Sequence, residues 1–64
     1  MAQNGREVPK VECFGGGPKD GAFVPAHAPT LALLDGETFY VYRLTREDDG
    51  SMFYLLERTM PVAA

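Results

Sequence analysis

The chain has 64 residues and a mass of 7.0 kDa. This length excludes a large enzyme and leaves room for one small domain, because chains of this size bury only about 60% of the surface that their unfolded form exposes. Six Lys and Arg residues against nine Asp and Glu residues give a net charge of −3, so the broad positive field that attracts nucleic acid or an anionic membrane is missing. We therefore expect partners that are proteins, with no nucleic acid and no membrane among them.

Glycine and proline residues divide the chain into segments. Residues 1–7 are polar and show no hydrophobic period, and residues 60–64 are short and contain Pro61, which interrupts strand pairing. We interpret residues 1–7 as an extended N-terminal arm and residues 60–64 as a C-terminal tail. Residues 8–59 between them are predicted to form the β-domain.

Two short strands around a glycine-rich turn are predicted at the start of the β-domain. Residues 8–14 alternate loosely and predict a first strand, and residues 22–24 predict a second. Residues 15–21 between them read Gly-Gly-Gly-Pro-Lys-Asp-Gly, which is typical of a turn because Gly adopts positive φ and Pro fixes φ. Residues 25–29 begin and end with Pro, and they predict a stiff connector.

A β-hairpin is predicted next. Asp35-Gly36 separates residues 30–34 from residues 37–46, and this dipeptide favours a two-residue turn of type I′. That turn would place Leu34 opposite Glu37.

A second hairpin follows the first. Asp48-Asp49-Gly50 is typical of a three-residue loop with Gly in the left-handed position, and it would place Glu47 opposite Ser51 and Thr45 opposite Phe53. Together these segments predict an all-β protein, a small antiparallel meander of about five strands that forms a sandwich or a partly open barrel.

Both faces of the predicted sheet are apolar. Strand side chains alternate and paired residues share a face, so the two hairpins sort their side chains into two sets. One set, the tyrosine face, consists of Leu31, Leu33, Tyr40, Tyr42, Leu44, Met52, Tyr54 and Leu56. The opposite set consists of Ala32, Leu34, Phe39, Val41, Phe53 and Leu55, with Arg43 and Glu57 as neighbours able to pair.

Two apolar faces require cover on both sides, because an antiparallel sheet with one wet face alternates apolar with polar residues. The N-terminal segment carries enough apolar residues to cover one face. Tyr is enriched at interfaces, where its ring contributes apolar area and its hydroxyl tolerates partial wetting. We therefore predict that the eight residues of the tyrosine face form the contact surface for a partner.

No motif in the sequence favours catalysis or metal binding. Residues 15–21 resemble a phosphate cradle but lack the P-loop spacing, and residues 48–50 lack the spacing of a calcium loop. His27 has no predicted nucleophile or carboxylate beside it, and a lone Cys13 with one His does not provide the ligands of a zinc site. We expect no enzymatic activity, no cofactor and no metal.

The cysteine content favours an intracellular protein or a component of an assembly. Cys13 is the single cysteine and cannot form an internal disulfide, which is the usual means of stabilising a small secreted domain. The N-terminal segment also lacks the hydrophobic region of a signal peptide.

The segment from Cys13 to Gly21 resembles small proteins of actinobacterial phages. These carry a Gly-Gly-Pro-x-Asp-Gly element near the N-terminus, matched here by Gly16-Gly17-Pro18-Lys19-Asp20-Gly21, with Gly15 as an additional glycine. They continue to a Tyr-containing strand like residues 40–44 and a final hairpin strand like residues 52–57. The resemblance covers residues 11–58.

The resemblance implies a phage origin and brings no catalytic residues with it. With the apolar faces, it leads us to expect a structural protein of the virion, a capsid decoration protein or minor capsid component that stabilises contacts between larger subunits. Its partners would be capsid subunits or copies of itself, in a homo-oligomer or a larger assembly. The alternative is a non-virion accessory protein in the host cytoplasm that binds and inhibits a host enzyme or defence factor.

Overall fold

The computed structural model describes residues 8–62, which form one five-stranded sheet and no helix. The strands are β1 (Lys10–Phe14), β2 (Phe23–Pro25), β3 (Thr30–Asp35), β4 (Thr38–Arg46) and β5 (Met52–Pro61). The sheet curls into a half-barrel, so the predicted all-β class is confirmed in its partly open form. Within residues 8–62, no helix has the length and apolarity needed to cross a membrane. The arm predicted for residues 1–7 lies outside the described residues.

The sheet is mixed, whereas the sequence predicts an antiparallel meander. Its strand order is β2-β1-β5-β4-β3. β1 and β2 form an antiparallel pair, and β3, β4 and β5 form the expected meander. β1 runs parallel to β5, with Cys13 opposite Tyr54 and Phe14 opposite Leu55. The connector of residues 26–29 carries the chain from the β2 edge to the β3 edge, which leaves β1 beside the last strand.

The turn between β3 and β4 is shifted from its predicted position. Leu34 lies opposite Phe39, and Gly36-Glu37 forms the two-residue loop. The φ angle is +66° at Gly36, and no residue other than Gly has positive φ in the described part of the chain. This pattern fits a type II′ turn, which has Gly at the first of its two central positions. It does not fit a type I′ turn, which needs positive φ at both central positions. The shift is two residues, so every side chain stays on its predicted face.

The second hairpin is confirmed in detail. Thr45 lies opposite Phe53, and the Glu47 N–H donates a hydrogen bond of 2.8 Å to the Ser51 carbonyl. Gly50 has a φ of +93°, which is the left-handed position expected of a three-residue loop.

A β-bulge interrupts the pairing of β4 with β5. Tyr42 lies opposite Leu56 but Val41 lies opposite Arg58, so Glu57 is an extra residue in β5. The bulge was not predicted, because the hairpin loop specifies the register only as far as the ladder stays regular.

The predicted boundary of the C-terminal tail is wrong. Met60 lies opposite Phe39 and Pro61 lies opposite Thr38, so residues 60 and 61 belong to β5. Of the β5 residues, only 54 and 55 pair with β1. Among the described residues, the side of β5 that faces away from β4 is therefore an edge near its end, where a Pro is tolerated.

The core lies on the inner face of the half-barrel. Val11, Cys13, Tyr42 and Tyr54 are buried there. Partly buried apolar residues pack around them: Val24, Ala26, Leu31, Leu33, Tyr40, Leu44, Met52 and Leu56.

Candidate interaction surface

Two buried tyrosines close the inner face by binding the loops that cross it. The Tyr42 hydroxyl donates a hydrogen bond of 2.7 Å to the Gly16 carbonyl and accepts one of 3.2 Å from the Lys19 N–H. The Tyr54 hydroxyl donates a hydrogen bond of 2.6 Å to the Ala28 carbonyl. Each phenol ring therefore fills the interior, and each hydroxyl satisfies backbone groups in a segment that forms no strand.

The predicted interface is consequently part of the core. Tyr42 and Tyr54 are 0% and 1% exposed, because β1, β2 and the connector cover them. The other six residues assigned to the interface are half-buried and pack against the same core: Leu31, Leu33, Tyr40, Leu44, Met52 and Leu56. Tyr42 and Tyr54 are therefore not free to bind a partner, and the prediction is corrected for these two residues.

The opposite side of the sheet, the outer face, exposes large apolar side chains. Phe14 is 42% exposed, Leu34 58%, Leu55 43% and Met60 39%. Phe14 contacts Phe53 across the β1–β5 pair, with ring centroids 5.5 Å apart and an edge-to-face angle of 83°. The outer face is thus the uncovered apolar face of this protein.

Four residues of this face were only partly predictable. Arg43 and Glu57 form the anticipated ion pair at 3.2 Å, which is exposed and therefore contributes about 0–1 kcal/mol. Phe14 and Met60 were missed as members of the face, because β1 joins it through an unpredicted parallel pairing and Met60 through the extension of β5.

The glycine-rich turn already holds an anionic group of its own. Gly15, Gly16 and Gly17 have φ angles of +100°, +98° and +85°, and the Gly16 N–H donates a hydrogen bond of 3.1 Å to Asp20 Oδ1. The amide that would bind a phosphate is thus occupied by a carboxylate. A Cβ atom at Gly17 would lie 2.5 Å from the Tyr42 hydroxyl, so the absence of a side chain there permits the hydrogen bonds that close the core.

The two residues considered for metal or nucleophilic chemistry lie in different surroundings. Cys13 is fully buried in the core and His27 is exposed on the connector. No group of three or more His, Cys, Asp or Glu side chains is placed to hold a metal ion anywhere in residues 8–62.

The free energy of unfolding is expected to fall at alkaline pH. Burial raises the pKa of the Cys13 thiol, and burial likewise raises the pKa of the Tyr42 phenol. The folded state therefore keeps protons that the unfolded state releases, so the contribution of these two groups to stability is constant below about pH 8, and it begins to fall above about pH 8.5 for the Cys13 thiol and above about pH 10 for the Tyr42 phenol. Urea denaturation between pH 7 and 11 measures this slope.

Two variants serve as controls for this pH dependence. Cys13→Ala should flatten the decline between about pH 8.5 and 10, and Tyr42→Phe should flatten it above about pH 10. A slope that neither variant changes would show that other groups cause the alkaline loss.

No protein-family model, curated protein or solved structure matches this chain. Its functional interpretation therefore depends on the outer face and on the residues that support it. What this face offers chemically is apolar area on a sheet, together with the Arg43–Glu57 ion pair and the Arg58 side chain opposite Val41.

Proposed function

We propose that this chain is a structural protein of a phage particle, a capsid decoration or minor capsid component that binds larger subunits through the outer face of its sheet. The observation that carries the proposal is the exposure of Phe14, Leu34, Leu55 and Met60 on that single face. Exposed large apolar side chains gathered on one face are typical of a protein interaction site.

The physical argument concerns the pattern of the strands. A sheet with one face in water carries polar residues there, whereas β4 and β5 place Phe39, Phe53 and Leu55 on the outer face. Removing the exposed apolar area of such residues from water is favourable by about 25 cal/mol per Å², before the entropic cost of association is subtracted.

The size of the molecule is compatible with this role. Its accessible surface is 4570 Å², and a stable interface covers about 800 Å² on each partner. Such a contact would occupy about a sixth of the surface, which one face of the sheet can supply.

The phage origin is supported by the resemblance in the Gly-Gly-Pro-x-Asp-Gly element. In this fold the element forms the turn that binds the Tyr42 hydroxyl. It therefore supports the domain that presents the outer face.

The proposal is tested by quantitative mass spectrometry of purified particles of a phage that encodes this chain. Trypsin cleavage after Arg46 and Arg58 releases residues 47–58, and an isotope-labelled copy of that peptide measures the copy number. We expect a constant ratio to the major capsid protein across density-gradient fractions, with a non-structural phage protein as the contamination control. Absence from the particles would reject the proposal, and recovery as free protein in the host cytoplasm would favour the inhibitor alternative.

A further inference from the structure

β3 is an edge strand among residues 8–62. It is bonded only to β4 in this part of the chain, so its outward backbone groups have no strand partner there. The hydrogen bond from the Leu44 N–H to the Pro29 carbonyl, at 2.8 Å, shows that odd-numbered residues of this segment direct their backbone groups toward β4. The even-numbered residues direct theirs away from the sheet, and their side chains are exposed: Thr30, Ala32 and Leu34.

The two edges of the sheet differ in protection. β2 has three residues and ends at Pro25, and short strands and Pro residues are the devices by which proteins block edge pairing. β3 has six residues that include no Pro, no Lys and no bulge. An unprotected edge of this length is a template for another strand.

We propose that β3 pairs antiparallel with β3 of a second copy of this chain, around a two-fold axis at Ala32. In this register Ala32 lies opposite Ala32 of the second copy, and Thr30 lies opposite Leu34. All three outward-directed residues then face one another, and each such pair exchanges two hydrogen bonds, about six in total. Shifting the strands by two residues would place either Thr30 or Leu34 opposite a residue that is not one of these three.

The side chains agree with this register. Leu31 lies opposite Leu33 of the second copy, which extends the inner core, and the highly exposed Leu34 packs beside Thr30. The two Asp35 carboxylates lie at opposite ends of the paired strands, each beside Pro29 of the other copy, so no like charges face each other. The strand sequence is therefore self-complementary in this arrangement.

The dimer would join two outer faces into one continuous surface. The pairing uses the β3 edge and shares Leu34 with the outer face, whereas Phe14, Leu55 and Met60 lie on other strands. Six residues per copy bury less than a standard interface, and we therefore expect a dimer that forms at high protein concentration and dissociates on dilution.

Cysteine cross-linking tests the register. Residues in a hydrogen-bonded antiparallel pair have Cα atoms about 5.5 Å apart, within the range of a disulfide, so Ala32→Cys should form a covalent dimer under mild oxidation. Leu34→Cys is the matched control on the same strand and face, since the two introduced thiols would be offset by about 13 Å. The native Cys13 is fully buried and should not react.

A covalent dimer of the Ala32→Cys variant alone, on non-reducing gels, supports the proposal. Equal cross-linking of both folded variants, or of neither, overturns it. Sedimentation of Ala32→Pro is a second measurement, because the N–H that Pro lacks points away from β4 at this position: the mass should fall to that of a monomer while far-UV circular dichroism stays native. A native chain that remains a monomer at millimolar concentration, or pairs only with an added capsid peptide, also overturns it.

Discussion

Tyr42→Ala is expected to unfold the chain under conditions in which the native protein is folded. Its ring is fully buried, and its hydroxyl holds the Gly16 carbonyl and the Lys19 N–H. Replacing a buried aromatic ring by Ala costs about 3–5 kcal/mol, and the core of a domain this small rarely supplies more than about 3–5 kcal/mol. Urea denaturation followed by circular dichroism measures the loss.

Two variants separate the contributions of the ring and the hydroxyl. Tyr42→Phe keeps the ring and removes the hydrogen bonds, for an expected loss of about 1–3 kcal/mol. Leu34→Ala, on the exposed outer face, should change the free energy of unfolding by less than about 0.5 kcal/mol. If Tyr42→Ala stays folded with a loss no larger than that of Leu34→Ala, the core is not organised around this ring.

Leu55→Asp is expected to abolish incorporation into the particle while leaving the chain folded. Leu55 is 43% exposed on the outer face, and it lies opposite Arg43, whose guanidinium tolerates an introduced carboxylate. At an apolar interface that carboxylate would be desolvated, with an expected loss of 2 kcal/mol or more, roughly 30-fold in affinity. Mass spectrometry of particles from a mixed population measures the ratio of variant to native chain.

His27→Asp is the control for this experiment. His27 is also exposed, but it lies on the connector between β2 and β3, which contacts the inner face through the Ala28 carbonyl. We expect it to enter particles normally. Normal incorporation of Leu55→Asp would remove the outer face from the contact, and equal exclusion of both variants would indicate a general effect of charge.

Local signals account for the parts of the fold that the sequence predicts. Asp48-Asp49-Gly50 determines its own loop geometry, so the register of the second hairpin is correct up to the bulge at Glu57. The first hairpin is shifted by two residues because positive φ is adopted only at Gly36, yet strand alternation has a period of two, so the division into faces survives the error. The parallel pairing of β1 with β5 has no local signal, because it joins segments far apart in the chain.

The assignment of the contact surface failed for the same reason. Alternation shows which residues share a face, but it does not show which face is covered, and here the cover depends on Cys13 lying beside Tyr54. The sequence did contain an overlooked hint: the Gly-rich and Pro-rich segments carry carbonyls without strand partners, and buried phenols are suitable donors for them. The enrichment of Tyr at protein interfaces favoured the opposite interpretation, in which these side chains contact a partner.

The parallel pairing also constrains when this protein can fold during synthesis. β1 leaves the ribosome early, but its neighbour in the sheet is β5, the last strand of the fold to be made. At about 5–20 residues per second the intervening chain takes several seconds to emerge. Cys13 and Phe14 of the nascent polypeptide therefore stay without their β5 neighbours until Tyr54 and Leu55 have emerged, so the half-barrel closes only after β5 is made.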